Sequence, residues 1–241
     1  AAITAILTGH AYKISAEIAS YKGAFSDYEK NKGSMLRVMN MHREATYKID
    51  VRYCPDYLLE AAREDWDQVV ELGEKQGFRN AQASVLAPTG TIGLLMSCDT
   101  TGVEPEFSLI KWKKLAGGGY FKIVNNSIEQ ALEKLNYNEK ERKEIIDYIS
   151  ENGNIENAPY IKQEHLPIFD CANQNQNGKR FIKPMGHVKM MAAVQPFVSG
   201  AISKTVNLPN SATEEDIQQI YFEAWQMGLK CIALYRDGCK L

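Results

Sequence analysis

Apolar residues recur at helical spacing along much of the chain, and short apolar runs separate these stretches. The spacing predicts helices over residues 2–20, 35–42, 56–76, 126–135, 138–150, 185–194 and 213–227. The helix at 56–76 has the clearest apolar face, and Gly77 is predicted to end it. We expect a loop over 23–33. Residues 152–177 lack periodicity, so we expect insertion or disorder there, with an exposed turn at 174–178.

Short apolar runs predict strands at 84–86, 201–206 and 230–235. The helix between the last two has Thr213 as its cap, Asp216 at its third position and Gly228 as its stop. A strand, a helix and a strand over about 35 residues are typical of a parallel crossover. The chain is therefore predicted to be an α/β protein.

A proline, threonine and glycine turn follows the strand at 84–86, with the sequence Ala87-Pro88-Thr89-Gly90-Thr91-Ile92. Pro88 ends the strand, and Gly90 lets the backbone approach a ligand without a side chain between them. The hydroxyls of Thr89 and Thr91 and the amides that follow can donate to phosphate oxygens. The turn thus predicts an anion-binding loop. The alternative is a plain strand-to-helix turn in which one of these threonines caps the helix.

Composition narrows the class of protein. The chain has 241 residues, of which 44% are hydrophobic, and 28 basic against 30 acidic residues give a net charge of -2. This balance gives no reason to expect a nucleic-acid partner, and no segment reads as a signal peptide or a membrane span. Five cysteines without a Cys-x-x-Cys pair favour neither a disulfide framework nor a zinc site. We expect a cytoplasmic protein with reduced thiols and no bound metal.

Several segments, in one order along nearly the whole chain, resemble the adenosylcobalamin-dependent (class II) ribonucleotide reductases: 1–12, 87–96, 98–107, 113–121, 185–193, 200–209 and 233–238. The resemblance implies the second half of a ten-stranded α/β barrel, with helical segments at its amino-terminal end. It also implies that the loop at 87–92 holds the phosphates of the substrate. The segment 231–236 has a single tyrosine, Tyr235, where class I reductases have two in succession, which favours class II.

The resemblance implies an enzyme that converts ribonucleoside di- or triphosphates to 2'-deoxyribonucleotides by thiyl-radical chemistry, with adenosylcobalamin as cofactor. The radical cysteine of the family stands in an Asn-x-Cys-x-Glu pattern, which this sequence lacks. We therefore expect no catalytic residue in this chain and no activity from it alone. The alternative is a non-catalytic phosphate-binding or regulatory module derived from the same barrel.

We expect residues 1–241 to be a carboxy-terminal portion of the catalytic barrel, either a fragment or one half of a split enzyme. The finger loop and the regulatory region would precede it, and a mobile cysteine pair would follow it. The expected partners are the ribonucleotide, the rest of the reductase chain or a split partner, a thioredoxin-type or glutaredoxin-type reductant acting through the tail, and a second copy in a homodimer. No nucleic acid or membrane is expected.

Several other residues have more than one possible role. Thr205 and Asn207 are candidate pocket residues, because ligands collect where parallel strands open onto a site. His187 shares a helical face with two methionines, which favours a packed histidine over a ligand. No histidine stands in an Asp-x-His-x-x-Gly pattern, so by the resemblance a bound cobalamin would keep its own base.

Lys111, Lys113 and Lys114 either attract an anionic group or form a solvated strand edge. Three cysteines are expected to be structural or incidental because they lack a basic partner or a second thiol at short spacing: Cys98, Cys171 and Cys231.

Overall fold

The computed structural model of the chain describes residues 1–114, 118, 120–175 and 177–239. The helices are α1 (Ala2–Lys22), α2 (Tyr28–Tyr47), α3 (Asp56–Gln76), α4 (Gly90–Leu95), α5 (Asn126–Lys134), α6 (Glu139–Asn152), α7 (Pro184–Val194) and α8 (Glu214–Gln226). The strands are β1 (Ile110–Lys114), β2 (Tyr120–Val124), β3 (Thr205–Leu208) and β4 (Ala233–Arg236), and 3₁₀ turns lie at Val51–Tyr53, Gln163–Phe169 and Gln195–Phe197. The chain divides into two compact units. The first comprises 1–87, 188–203 and 221–232, and the second comprises the described residues of 88–187, 204–220 and 233–241.

Helices α1 and α3 form the core of the first unit. The buried face of α3 includes Leu59, Trp66 and Val69, which recur at helical spacing. The Trp66 indole nitrogen donates to the Ala5 carbonyl at 3.0 Å. Gly9 permits this close packing, since a Cβ there would lie 3.0 Å from the indole. The predicted bounds of α3 are confirmed.

Helix α2 is much longer than the predicted 35–42, and the predicted loop at 23–33 is wrong beyond residue 27. Gly33 suggested a break, because glycine costs about 1 kcal/mol in a helix interior. Packing overrides that cost here. The Tyr28 hydroxyl donates to the Gly73 carbonyl at 3.0 Å, and Met39 is fully buried in the core of the first unit.

The predicted strands at 84–86 and 201–206 lie side by side in part. Leu86 and Ile202 form a single parallel bridge. The amide of Leu86 donates to Ala201, and the amide of Ser203 donates to Leu86. The second strand itself begins later than predicted, at Thr205, and the Lys204 side chain before it lies in a polar cluster of the second unit.

The parallel crossover is confirmed: β3 and β4 pair in parallel, with Thr205 opposite Ala233 and Leu208 opposite Arg236. Thr213 and Asp216 exchange hydrogen bonds at the start of α8, as predicted for a capping box. Gly228 follows the helix with φ of 73°, a left-handed conformation that glycine adopts without strain.

Residues 152–177 were expected to be an insertion or disordered; the disorder is wrong for the described part, and the insertion stays a prediction. The segment contains the 3₁₀ turn Gln163–Phe169 and buries Leu166, Phe169 and Cys171 against α5 and α6. The predicted turn at 174–178 is not exposed throughout: Asn175 and Gly178 are buried, and Asn175 accepts from the amide of Leu109. Gln176 lies outside the described residues.

The described residues form two two-stranded sheets: an antiparallel pair of β1 and β2, and the parallel pair of β3 and β4. They do not close a barrel. The α/β class is confirmed, whereas the half-barrel stays a prediction. Within the described ranges, no helix is both long and apolar enough to cross a membrane.

Candidate phosphate-binding loop

The loop predicted to bind phosphate is exposed and held in an unusual backbone conformation. Thr89 has φ of 49°, which is uncommon for a residue with a branched side chain. Its hydroxyl accepts from the amide of Gly102 at 2.7 Å, and its carbonyl accepts from the amide of Gly93 at 2.7 Å, within α4. The loop thus turns into a short helix, and a bond from a distant turn stabilises it.

The predicted binding residues have space around them. Pro88, Thr89, Gly90, Thr91 and Ile92 are all exposed, while Ala87 is half-buried. A Cβ added at Gly90 would meet no atom of the described residues within 4 Å. A ligand can therefore approach the backbone of Gly90 without displacing any of these residues.

Two acidic residues, Asp99 and Glu104, fix the segment that follows α4. Asp99 accepts from the amide of Ser127 at 2.9 Å and from Lys111, whose Nζ lies 3.3 Å from its carboxylate. Burial opposes ionisation of Asp99, but these hydrogen bonds outweigh it and hold the pKa of Asp99 below its usual value. Ser127 lies in the first turn of α5, so Asp99 ties the segment to that helix.

A polar cluster centred on the buried Lys204 includes the partly buried Glu104. Its carboxylate accepts from Lys204 Nζ at 2.9 Å and from the amide of Thr205 at 2.6 Å. Lys204 also donates to His187 Nδ1 at 2.8 Å and to the Thr205 carbonyl at 2.9 Å. An ammonium group has three hydrogens to donate and no lone pair, so all its hydrogens are used and His187 Nδ1 must be an acceptor.

Burial governs ionisation in this cluster. The His187 side chain is buried, and burial together with the nearby Lys204 charge lowers the pKa of His187 to about 4. Burial also lowers the pKa of Lys204, and the Glu104 carboxylate opposes that shift. His187 is therefore neutral at pH 7, with its proton on Nε2. The interpretation of His187 as a packed residue fits this position.

The carboxylate of Glu106 has fewer hydrogen-bond partners than that of Glu104. Its Oε1 lies 3.7 Å from Lys111 Nζ, beyond hydrogen-bonding distance. Burial raises the pKa of Glu106 to about 6, and the Lys111 charge only partly opposes the shift. Lys111 thus pairs with carboxylates within the chain. The side chains of Lys113 and Lys114 lie outside the described residues.

The candidate pocket residues Thr205 and Asn207 lie on β3. Thr205 contacts the Glu104 cluster through its backbone, and Asn207 is buried opposite Tyr235. A cavity of about 450 Å³ lies beyond the carboxyl ends of β3 and β4, where Asn210, Ser211 and Asp237 are among its lining residues. Neither Thr205 nor Asn207 lines it, so their pocket role stays a prediction.

The predicted structural cysteines differ in environment. Cys171 is buried, and burial raises the pKa of its thiol to about 11, which keeps it protonated at neutral pH. Cys98 and Cys231 are exposed.

Sequence reasoning missed Glu104 and the pairing role of Lys204. The available signal was a lysine between Ile202 and Val206, because a charge in an apolar run requires a partner when buried. Nothing local identified that partner, 100 residues away.

The parallel β3–α8–β4 unit and an exposed glycine loop after a strand-like segment define an α/β protein with a candidate anion site. The chain belongs to the ribonucleotide reductase family: residues 1–235 match the family described as "Ribonucleotide reductase, barrel domain". This finding confirms the family named by the resemblance.

Three relatives give the comparison more detail, and each is named vitamin B12-dependent ribonucleotide reductase. The protein of Streptomyces avermitilis is 53% identical over 100% of this chain and 25% of its own length. That of Rhodopirellula baltica is 54% identical over 99% of the chain and 23% of its own length. The protein of Bradyrhizobium diazoefficiens is 38% identical over 100% of this chain and 28% of its own length. The chain therefore spans about a quarter of the length of these relatives.

Proposed function

We propose that this chain is part of a ribonucleotide reductase and that its loop at 87–92 binds the phosphates of the ribonucleotide substrate. The observation that carries the proposal is the exposed loop around Gly90, in which Thr89 has a left-handed backbone and bonds to Gly102. Strained residues of this kind persist where the surrounding structure holds them, and they cluster at ligand-binding sites.

The chemistry of the loop suits an anion. The Thr91 hydroxyl and the amides of residues 90–92, which precede the hydrogen bonds of α4, are available to donate to phosphate oxygens. Hydrogen bonds to a charged group are stronger than those between neutral groups, at about 1.5 to 3 kcal/mol each. The loop would thus hold and orient the nucleotide while other residues of the complete protein react with it.

The complete protein is proposed to form 2'-deoxyribonucleotides by thiyl-radical chemistry, with a radical cysteine that is not in this sequence. The names of the relatives support adenosylcobalamin as its cofactor. Cavities of the second unit have volumes of about 340 to 450 Å³, within the range for drug-sized ligands. We propose that the complete chain or its assembly holds the cofactor.

Titration of the complete reductase with ribonucleoside diphosphate and triphosphate, in separate experiments, tests the loop. Thr91→Val removes one donor and keeps the shape, and we expect about a tenfold loss of affinity. Gly90→Val places a side chain where the phosphate would lie. Because the space around Gly90 is open, this variant should fold normally and lose nucleotide affinity to a similar or greater extent.

Thr4→Val on α1 is the matched control, since it makes the same change outside the loop, and it should bind like the wild type. Unchanged nucleotide affinity in both loop variants would show that the loop only starts a helix. The alternative, a non-catalytic module, is distinguished by the gene: an Asn-x-Cys-x-Glu segment on the same or an adjacent reading frame favours the enzyme.

A further inference from the structure

We propose that Glu104 is a positioning residue that fixes the phosphate loop to β3 through Lys204 and Thr205. This inference rests on the proposed phosphate-binding function of the loop. It assigns a role to a buried polar cluster that lies outside the loop itself.

A continuous path of hydrogen bonds joins the loop to the strand. The Thr89 hydroxyl accepts from the amide of Gly102, and the amide of Glu104 donates to the Thr101 carbonyl at 3.0 Å. The Glu104 carboxylate then accepts from Lys204 and from the amide of Thr205 at the start of β3. The turn at 101–104 is thus attached to the loop at one end and to the strand at the other.

Packing couples the same turn to α4. A Cβ added at Gly93 would lie 2.9 Å from the Thr101 methyl group, so helix and turn are in close contact. A displacement of the turn would therefore move Gly93 and Thr89 together. Since donors must lie within a few tenths of an ångström of their ideal distance, a small shift at Glu104 would misalign the amides of the loop.

Glutamate is specifically suited to this position. Both of its oxygens are used, one for Lys204 and one for Thr205, and the Lys204 side chain is only 1% exposed. Glutamine would keep an acceptor for one partner and lose the negative charge that balances the buried ammonium. Aspartate is one methylene shorter and would not reach both partners. The cluster therefore holds the turn in one position rather than several.

Glu104→Gln in the complete reductase tests this role, with a ribonucleoside diphosphate and its parent ribonucleoside as probes. We expect the affinity for the diphosphate to fall about tenfold, because the donors of the loop are displaced, and the affinity for the ribonucleoside to stay unchanged. Glu106→Gln is the matched control. It removes a carboxylate two residues away that faces Lys111, and diphosphate binding should stay within about twofold of the wild type.

The double variant Glu104→Gln with Lys204→Met controls for misfolding, because it leaves no unpaired buried charge. It should fold and still bind the diphosphate weakly. Wild-type binding by this double variant, or by Glu104→Gln while Thr91→Val binds weakly, would overturn the positioning role and leave the loop proposal intact. Equal losses for diphosphate and ribonucleoside would show a general structural role instead. Wild-type binding by Thr91→Val and Gly90→Val would refute the loop proposal, and this one with it.

Discussion

Glu104 and Glu106 lie two residues apart in the same segment, yet their environments differ. Glu104 contacts a lysine whose side chain is 1% exposed and whose three hydrogens all have acceptors within 2.9 Å. Glu106 faces Lys111, whose side chain is 37% exposed and which also serves Asp99. The first cluster gives each hydrogen of its cation an acceptor, whereas the second divides one cation between two carboxylates.

The pKa of Glu106 reflects this difference. A carboxylate that loses water must gain hydrogen bonds or a close cation in return, and Glu106 gains too few, so its pKa rises to about 6. In the Glu104 cluster the pKa of His187 falls to about 4, because burial and the nearby Lys204 charge both disfavour the imidazolium. The comparison teaches that burial sets the direction of these pKa shifts, and that the hydrogen bonds and charges around each group decide how far the shift is opposed.

Removal of either lysine tests this contrast most strongly. Lys204→Met leaves a partly buried carboxylate and an imidazole without their shared donor, and we expect a loss of about 3 kcal/mol in the free energy of unfolding. Lys111→Met removes a cation that is more exposed than Lys204, with 37% of its side chain exposed, and it should cost less, about 1 kcal/mol. Urea unfolding of the 241-residue chain measures both losses. Equal losses would contradict the distinction between the clusters.

The low pKa of His187 predicts the next largest effect, a dependence of stability on pH. The unfolded chain binds a proton at His187 near pH 6.5, while the folded chain binds it only near pH 4. Stability should therefore fall as pH drops through this window, by up to about 3 kcal/mol. NMR titration of the His187 ring protons measures the pKa directly, and His187→Gln should remove this part of the pH dependence. A ring titrating near 6.5 would disprove the donor arrangement.

Glu106 should give a smaller effect of the opposite sign. Its pKa of about 6 lies above the ordinary 4.5, so between these values the folded chain holds a proton that the unfolded chain has lost. Stability should fall as pH rises from 4.5 to 6, by up to about 2 kcal/mol. Unfolding of wild type and Glu106→Gln at several pH values isolates this contribution, which would be absent if Lys111 fully compensated the carboxylate.

Local signals in the sequence determined many of the elements. The bounds of α3 follow from its apolar period and Gly77, and α8 is defined by the Thr213 capping pair and Gly228. The parallel β3–α8–β4 crossover follows from the length of the connection. Pro88 and Gly90 indicate the turn at 87–92, and in the structure residues 88–92 are exposed and Gly90 begins α4. These signals depend on residues that are close together in the sequence, so they can be recognised without the tertiary structure.

Only the tertiary structure decided what depends on contacts between distant residues. Gly33 lies in α2 because Tyr28 and Met39 are buried against other helices of the first unit, and the aperiodic segment at 152–177 gains its order from the core around α5 and α6. Glu104 and Lys204 are 100 residues apart in the sequence, and the fold brings their side chains into contact. A charged residue in an apolar run indicates that a partner is needed when it is buried. The sequence does not identify that partner, because ionic and hydrogen-bond interactions act only over a few ångströms and the fold decides which residues come that close.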